Sequence, residues 1–291
     1  MGQTRQEWNH PSRRRLRVHA SPFGSISAEE YHEERFSVIG RARHNSAGFV
    51  DSERIFRKET YMALAPLLTE EELSALRQID TCMVANAVET FNLRLRNTGF
   101  TDGRIRCMFP DAPPVAGYAV TARLRSGEPP MKGGTFHDRT DFWNSVLNVP
   151  SPRILVLEDM DDPPGRGAFV GDVHAAILKA LDCVAFLTNG AVRDLPGVRA
   201  LGFQMFAGSI VTSHAYAHIF EISAPVRVGG MEVHPGDLLH GDGHGVITVP
   251  ATIAREVPRV AADLRREEQK VIEFCKSSSF SVAKLSDVMK S

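Results

Sequence analysis

The sequence predicts an α/β domain flanked by an N-terminal tail and a carboxyl-terminal helix. Three observations carry this. Through the middle of the chain, amphipathic helix-like segments alternate with short apolar strand-like runs. Hairpin signals follow, with Gly229-Gly230 between V-R-V and M-E-V the plainest of them. The 291 residues are 43% hydrophobic and 24% charged, the balance of a globule with a large core.

Bulk properties exclude several classes of function. The formal net charge is −1, so no global basic field points to nucleic acid. No apolar run approaches the roughly 18 residues that a membrane helix needs. Cys82, Cys107, Cys183 and Cys275 lie far apart and form no C-x-x-C. They read as idle thiols in a reducing, cytoplasmic setting, not as a disulfide framework or a zinc site.

The elements follow in order. Residues 1–50 carry Arg13-Arg14-Arg15-Leu16-Arg17 among Ser, His, Pro and Gly, with no core-forming run and no secretory h-region. They read as a poorly ordered extension, against a targeting or nucleic-acid-binding arm. The domain is expected over residues 51–250 and a helical extension over 251–291. Thr69-Glu70-Glu71-Glu72 is a capping box, with Leu73, Leu76 and Ile79 continuing the helix. Asp80-Thr81 starts a second helix with Val84, Ala87 and Val88 facing inward. Residues 115–125 alternate like a half-buried strand. Residues 126–139 read as a loop, 142–147 as a short helix and 153–157 as a buried strand. An acidic run, Glu158-Asp159-Met160-Asp161-Asp162, follows that strand.

Residues 171–194 then read as a helix (174–181), an apolar strand (184–188) and the turn Asn189-Gly190. Beyond them come a helix over 195–201, strands over 203–206 and 209–211, and the 225–233 hairpin. Turns at Pro235-Gly236-Asp237 and at 242–245 precede a strand over 246–249. A long amphipathic helix over 252–274 closes the chain, with Ile253, Val257, Val260, Leu264, Val271 and Phe274 on one stripe.

The chemistry concentrates in residues 171–194. Asp172 and Arg193-Asp194 are separated by twenty residues and bracket one helix–strand unit. Two carboxylates suit Mg²⁺, which prefers oxygen ligands and needs only one or two from the protein. Arg193 suits a substrate carboxylate, held bidentately. The amides of Val173 and His174, at a helix start, suit an anion. The same residues also read as an exposed Arg-Asp pair after a turn, with Asp172 a plain N-cap. Five histidines come late: His214, His218, His234, His240 and His244. His214 and His218 are spaced as ligands on one helix face, but no Glu follows His214 as in H-E-x-x-H, and they read as structural or subunit-contact residues. No P-loop, Rossmann G-x-G-x-x-G or G-x-S-x-G elbow occurs.

Asp172, twenty residues, then Arg193-Asp194 resembles the D-x20-R-D signature of class II pyruvate aldolases. These are the 4-hydroxy-4-methyl-2-oxoglutarate / 4-carboxy-4-hydroxy-2-oxoadipate type, grouped with the regulator of ribonuclease activity A-like proteins. Residues 115–121 (VAGYAVT), 190–194 (GAVRD), 236–242 (GDLLHGD) and 245–250 (GVITVP) are similar to further segments of that family. The resemblance covers roughly residues 65–275.

The resemblance implies a β/β/α swivelling-type fold, assembled as a homotrimer or homohexamer with sites at subunit interfaces. It implies Mg²⁺ (or Mn²⁺) bound directly by Asp194, with Asp172 acting through a water. It places Arg193 on the substrate and its developing enolate. Gly171, Asp172, Val173 and His174 would cradle the pyruvyl carboxylate. The implied activity is cleavage of 4-hydroxy-2-oxo acids to pyruvate, with oxaloacetate decarboxylation at the same site. A metal-polarised water would shuttle the proton, with no histidine required. Asn86 and Asn189 depart from the family pattern, which usually has an acidic residue at the first position and an acidic residue or glycine at the second. The extensions at both ends exceed the compact aldolases. The second reading is a non-catalytic binding regulator of a ribonuclease or other protein partner; the intact Asp172, Arg193 and Asp194 favour the enzyme. The expected partner is a small 2-oxo acid, with neither nucleic acid nor membrane.

Overall fold

Helix α1 (Glu70–Arg77) begins where a reciprocal cap fixes it. The Thr69 hydroxyl accepts the Glu72 amide at 3.3 Å, and the Glu72 carboxylate accepts the Thr69 amide at 2.8 Å. Helix α2 (Thr81–Thr90) begins at Asp80, whose carboxylate accepts the Met83 amide. Val84, Ala87 and Val88 face inward as their spacing predicts. The structure, a computed structural model, describes residues 66–130 and 140–289. The extension expected over residues 1–50, and most of the loop expected over 126–139, lie outside the described residues.

The chain continues through β1 (Arg106–Cys107), β2 (Val115–Arg125), α3 (Thr140–Leu147) and β3 (Arg153–Asp159). Next come β4 (Ala168–Val170), α4 (Asp172–Ala180), β5 (Cys183–Thr188), β6 (Ala191–Val192) and α5 (Leu195–Ala200). Strands β7 (Gln204–Ala207), β8 (Ser209–Ile210), β9 (His218–Ile222), β10 (Val226–Val228), β11 (Met231–Val233), β12 (Leu238–Asp242) and β13 (Gly245–Val249) follow. Helices α6 (Val257–Lys276) and α7 (Val282–Val288) end the described chain.

An eight-stranded mixed sheet runs in the order β1-β7-β5-β3-β2-β12-β13, with β9 paired to β2. Strands β2, β3, β5 and β7 are mutually parallel. Their alternate side chains enter two cores. Tyr118, Val120, Leu155, Leu157, Phe186 and Met205 pack with Leu76, Val84, Val88, Leu178 and Val257 of the helices. Ala119, Ile154, Val156, Leu187 and Phe206 lie with Val226, Val228, Met231 and Val233 of the β10–β11 hairpin. Strand β2 therefore differs from the half-buried strand its alternation predicts. Residues 116–122 are buried without interruption, because both faces of this central strand are covered.

Helix α6 also differs from expectation. Residues 251–256 form turns, and the helix starts at Val257 with Pro258 in its first turn. Ile253, Val257 and Ala261 are buried, while Val260 and Leu264 are partly buried against the core. Residues 265–270 are exposed, and Phe274 meets Phe280 with ring centres 5.7 Å apart. Arg265 pairs with Asp80, and Arg255 with Glu72 at 3.1 Å, which ties α6 to the cap of α2 and the turns before it to the cap of α1.

A second, three-stranded parallel sheet has the order β4-β6-β8. Only β8 corresponds to a strand expected from the sequence; β4 and β6, three and two residues long, carry too little pattern to show. No described helix is long and apolar enough to cross a membrane.

Candidate active site

The small sheet builds the site. Ala168 aligns with Ala191 and Val170 with Val192; Ala191 aligns with Ser209 and Val192 with Ile210. The ladder continues past the strands: the Arg193 amide donates to the Val170 carbonyl at 3.2 Å and the Val211 amide to the Val192 carbonyl at 3.0 Å. The carboxyl ends of three parallel strands thus arrive together, the place where open parallel α/β sheets bind ligands. Strand β4 delivers Gly171 and Asp172, β6 delivers Arg193 and Asp194, and β8 leads into residues 211–214. They surround a cavity of about 150 Å³.

All six residues singled out from the sequence line that cavity: Gly171, Asp172, Val173, His174, Arg193 and Asp194. Gly171 is the N-cap of α4 and has no side chain to close the helix end. Asp172 is therefore the first helical residue and not the cap. Its Oδ1 accepts the amide of Val173 at 2.8 Å, so of the amides expected to cradle an anion, that one is engaged by a protein carboxylate. Arg193 Nε donates to Asp194 Oδ2 at 2.9 Å. Asp194 has a left-handed backbone, φ 55 and ψ 36, and heads α5 without a side-chain cap. That conformation costs a non-glycine residue on the order of 1 kcal/mol, so the surrounding structure must hold it.

Two glycines set the position of the carboxylates. A Cβ on Gly171 would lie 2.3 Å from Asp194 Oδ2, and a Cβ on Gly197 would lie 2.9 Å from the Asp172 Cβ. Side chains at either position would push an acid out of the cavity. His174 is buried and stacks on Phe169 at 4.8 Å and on Trp143 at 5.8 Å, both at 22°. Its ring is part of a packed aromatic wall.

The donor set suits a cation that takes few protein ligands. Among the described residues no group of three or more His, Cys, Asp or Glu is placed to hold a metal. Two carboxylates beside a cavity with room for water and substrate oxygens match the habits of Mg²⁺. They do not match a closed tetrahedral zinc site.

His214 and His218 do not share a helix: His214 lies in the segment after β8 and His218 opens β9. Of the late histidines, His214 lines the cavity. The sequence marks His214 only as a structural or subunit-contact residue, because its place at the cavity depends on the contact of its segment with Gly167. His240 is buried, with its Nδ1 3.0 Å from the Thr81 hydroxyl and its Nε2 3.1 Å from the Leu76 carbonyl. Burial holds its pKa below the ordinary histidine value. His244 sits at the surface beside Asp242 at 3.1 Å. Burial pushes the Asp242 carboxyl up, but the Thr81 and His244 amides outweigh it and hold the group low.

Asp159 is a second residue the sequence hid. Its buried Oδ2 accepts the Gly165 amide at 2.7 Å and the Ser126 hydroxyl at 3.3 Å; Ser126 Oγ in turn accepts the Gly167 amide at 3.1 Å. Burial raises its pKa despite the amides of Gly165 and Asp161. This hub holds the loop that enters β4. The departures from the family pattern also find partners. Asn189 clamps Asp159 twice, accepting its amide at 2.7 Å and donating to its carbonyl at 2.9 Å. Asn86 donates to Glu268 of α6 at 3.2 Å, where an acidic residue would repel it.

The model of the RraA-like family, Aldolase/RraA, matches residues 81–248, more than half of the chain. A putative 4-hydroxy-4-methyl-2-oxoglutarate aldolase of Halalkalibacterium halodurans is 34% identical over 137 residues, covering 47% of this chain and 60% of that protein. The chain thus spans less than two thirds of that relative's length. A crystal structure of an uncharacterized protein from Pseudomonas syringae superposes with a TM-score of 0.60 at 21% identity, over 78% of this chain and 95% of that one. Streptomyces coelicolor RraAS2, described as an unusual member of the RNase ES inhibitor RraA protein family, superposes with a TM-score of 0.55 at 21% identity, over 69% and 96%. At such identities the two structures show a shared fold alone. With the family model spanning both sheets and every residue of the Asp172, Arg193 and Asp194 set, the chain belongs to the RraA-like aldolase family.

Proposed function

We propose that this protein is a divalent-metal-dependent carbon–carbon lyase. It cleaves 4-hydroxy-2-oxo acids of the 4-hydroxy-4-methyl-2-oxoglutarate type to pyruvate and decarboxylates oxaloacetate. One observation carries the reading: Asp172, Arg193, Asp194 and the uncapped start of α4 converge on one cavity at three parallel strand ends.

Asp194, with Asp172 through a water, would hold Mg²⁺ or Mn²⁺, whose charge polarises a 2-oxo group and stabilises negative charge on its oxygen. Arg193 uses Nε on Asp194, and a guanidinium has five N–H donors, so its terminal nitrogens serve the substrate carboxylate and the enolate charge. The start of α4 adds a positive dipole end for the same carboxylate. The wall of Phe169, His174 and Trp143 keeps water from that side of the cavity. The working form is a homotrimer or homohexamer: Val173, Ile210 and Tyr216 flank the site yet are 66%, 58% and 56% exposed, as an unpaired interface would be.

The test is pyruvate release from both substrates, with Mg²⁺ and with chelator. The expected result is turnover that chelator abolishes, and a loss of about 10²–10³-fold in Asp194→Ala. No metal-dependent turnover on either substrate, or full activity in Asp194→Ala, would overturn the proposal.

A further inference from the structure

The two strands that deliver the charged residues of the site are short. Strands β4 and β6 are three and two residues long, and their register aligns only Ala168 with Ala191 and Val170 with Val192. So short a ladder shares few bonds, and the spacing of the strands rests on what holds their entries. At their exits that spacing is critical. A Cβ on Gly171 would lie 2.3 Å from Asp194 Oδ2, so the backbone that follows β4 packs directly against the carboxylate that β6 delivers.

The entries of both strands meet one buried side chain, Asp159 at the end of β3. On the β4 side its Oδ2 accepts the Gly165 amide at 2.7 Å. The buried Ser126 hydroxyl lies 3.3 Å from the same oxygen and 3.2 Å from Asp161 Oδ2, and accepts the Gly167 amide at 3.1 Å, one residue before β4. On the β6 side Asn189 grips the Asp159 backbone at 2.7 Å and 2.9 Å. A Cβ on Gly190 would lie 3.0 Å from both the Cβ and the Oδ2 of Asp159. The Gly190 carbonyl in turn accepts the amides of Gly208 and Ser209, each at 3.1 Å, which brings in the entry of β8. Neither Asp159 nor Ser126 is in the wall of the cavity. Burial works against the Asp159 charge, and a buried carboxylate needs such bonds to persist.

We propose that Asp159 and Ser126 are positioning residues of the site: by holding Gly165, Gly167 and Gly190 they set β4 against β6 and fix the Gly171–Asp194 contact. This rests on the lyase reading above, in which Asp194 and Asp172 hold the metal. Without the Ser126 hydroxyl the Gly167 amide loses its acceptor and β4 is released at its entry. Gly171 and Asp172 then shift relative to Asp194, and the two carboxylates no longer face one cation together. Partners that orient metal ligands are worth about 10–100-fold in metal affinity or activity.

The experiment uses the full chain, Ser126→Ala and Asp159→Asn, with Thr69→Ala as the comparison. Ser126→Ala leaves the backbone of residue 126 tied, since Asp161 Oδ2 accepts its amide at 2.7 Å and its carbonyl accepts the Tyr216 amide at 3.2 Å. Asp159→Asn keeps the shape and removes one acceptor oxygen. Thr69→Ala weakens the fold at the cap of α1, outside the site. Mn²⁺ binding is titrated by electron paramagnetic resonance below the unfolding transition of each protein, and pyruvate release is measured over a range of Mn²⁺ concentrations. The expected result is Mn²⁺ affinity weakened about tenfold or more in Ser126→Ala and Asp159→Asn, and unchanged in Thr69→Ala. Pyruvate release from 4-hydroxy-4-methyl-2-oxoglutarate and from oxaloacetate falls together in the two variants and recovers in part as Mn²⁺ is raised. A wild-type protein that binds Mn²⁺ with folded variants that bind it equally overturns this proposal alone. So does an equal loss in Thr69→Ala, which marks general loosening, or failure of both variants to fold, which marks the pair as structural. A wild-type protein that binds no Mn²⁺ overturns the lyase reading itself, and this proposal with it.

Discussion

His240 is built to stay neutral. The Leu76 carbonyl can only accept, so His240 Nε2 carries the proton and Nδ1 accepts from the Thr81 hydroxyl. Protonating Nδ1 would break that bond and place a charge in a buried position. In the unfolded chain the ring titrates near the ordinary histidine value of about 6.5; in the folded chain burial lowers that value. Below about 6.5 the unfolded state binds more protons, so stability rises with pH. The contribution is fully present above about 6.5 and is lost as pH falls through the lowered native value. Thermal unfolding followed from pH 7.5 to pH 5 should show a falling midpoint, and His240→Gln should flatten part of that slope. An unchanged slope in the variant would show that other groups cause it. At this scale the sequence was readable where the chemistry was local. Asp172, Arg193 and Asp194 were visible as residue types at a fixed spacing. His214 was not, because its place depends on a contact with Gly167, far away in sequence.

Capped helices were the most legible elements. The Thr69–Glu72 box is written in four consecutive residues and is found as written. Thr69→Ala removes the acceptor for the Glu72 amide and should cost about 1 kcal/mol, a drop of roughly 2–4 °C in Tm by calorimetry. No shift would mean that the Arg255–Glu72 pair already fixes this end of α1. Strands were harder, for two separate reasons. Strand β2 was found at its true bounds but assigned one wet face, since alternation cannot reveal that the β10–β11 hairpin covers the other side. Strands β4 and β6 were missed because two or three residues carry no period at all. Helix α6 was placed five residues early. Ile253 belongs to its apolar stripe, but residues 251–256 form turns ahead of Pro258.

For the whole molecule, the proposed oligomer makes a direct prediction. The mass in solution should be that of three or six copies. Ile210→Glu, at the exposed end of β8, should shift it toward one copy and lower turnover with it. A wild-type protein that is only monomeric would count against a site shared between subunits. The carboxyl-terminal helix adds a tie within the chain: Asn86 and Asp80 of the α2 region bond to Glu268 and Arg265 of α6. An acidic residue at position 86 would repel Glu268, so Asn86 suits the presence of α6. The three-stranded sheet has a consequence for engineering. Each strand end contributes a separate part: the start of α4 from β4, the charged pair from β6 and the His214 segment from β8. The joints between them are backbone hydrogen bonds that do not depend on side-chain identity. Residues 211–217 can therefore be exchanged as a cassette, provided Gly167 is kept to receive it, which would vary one wall of the cavity while the other two strand ends stay in place.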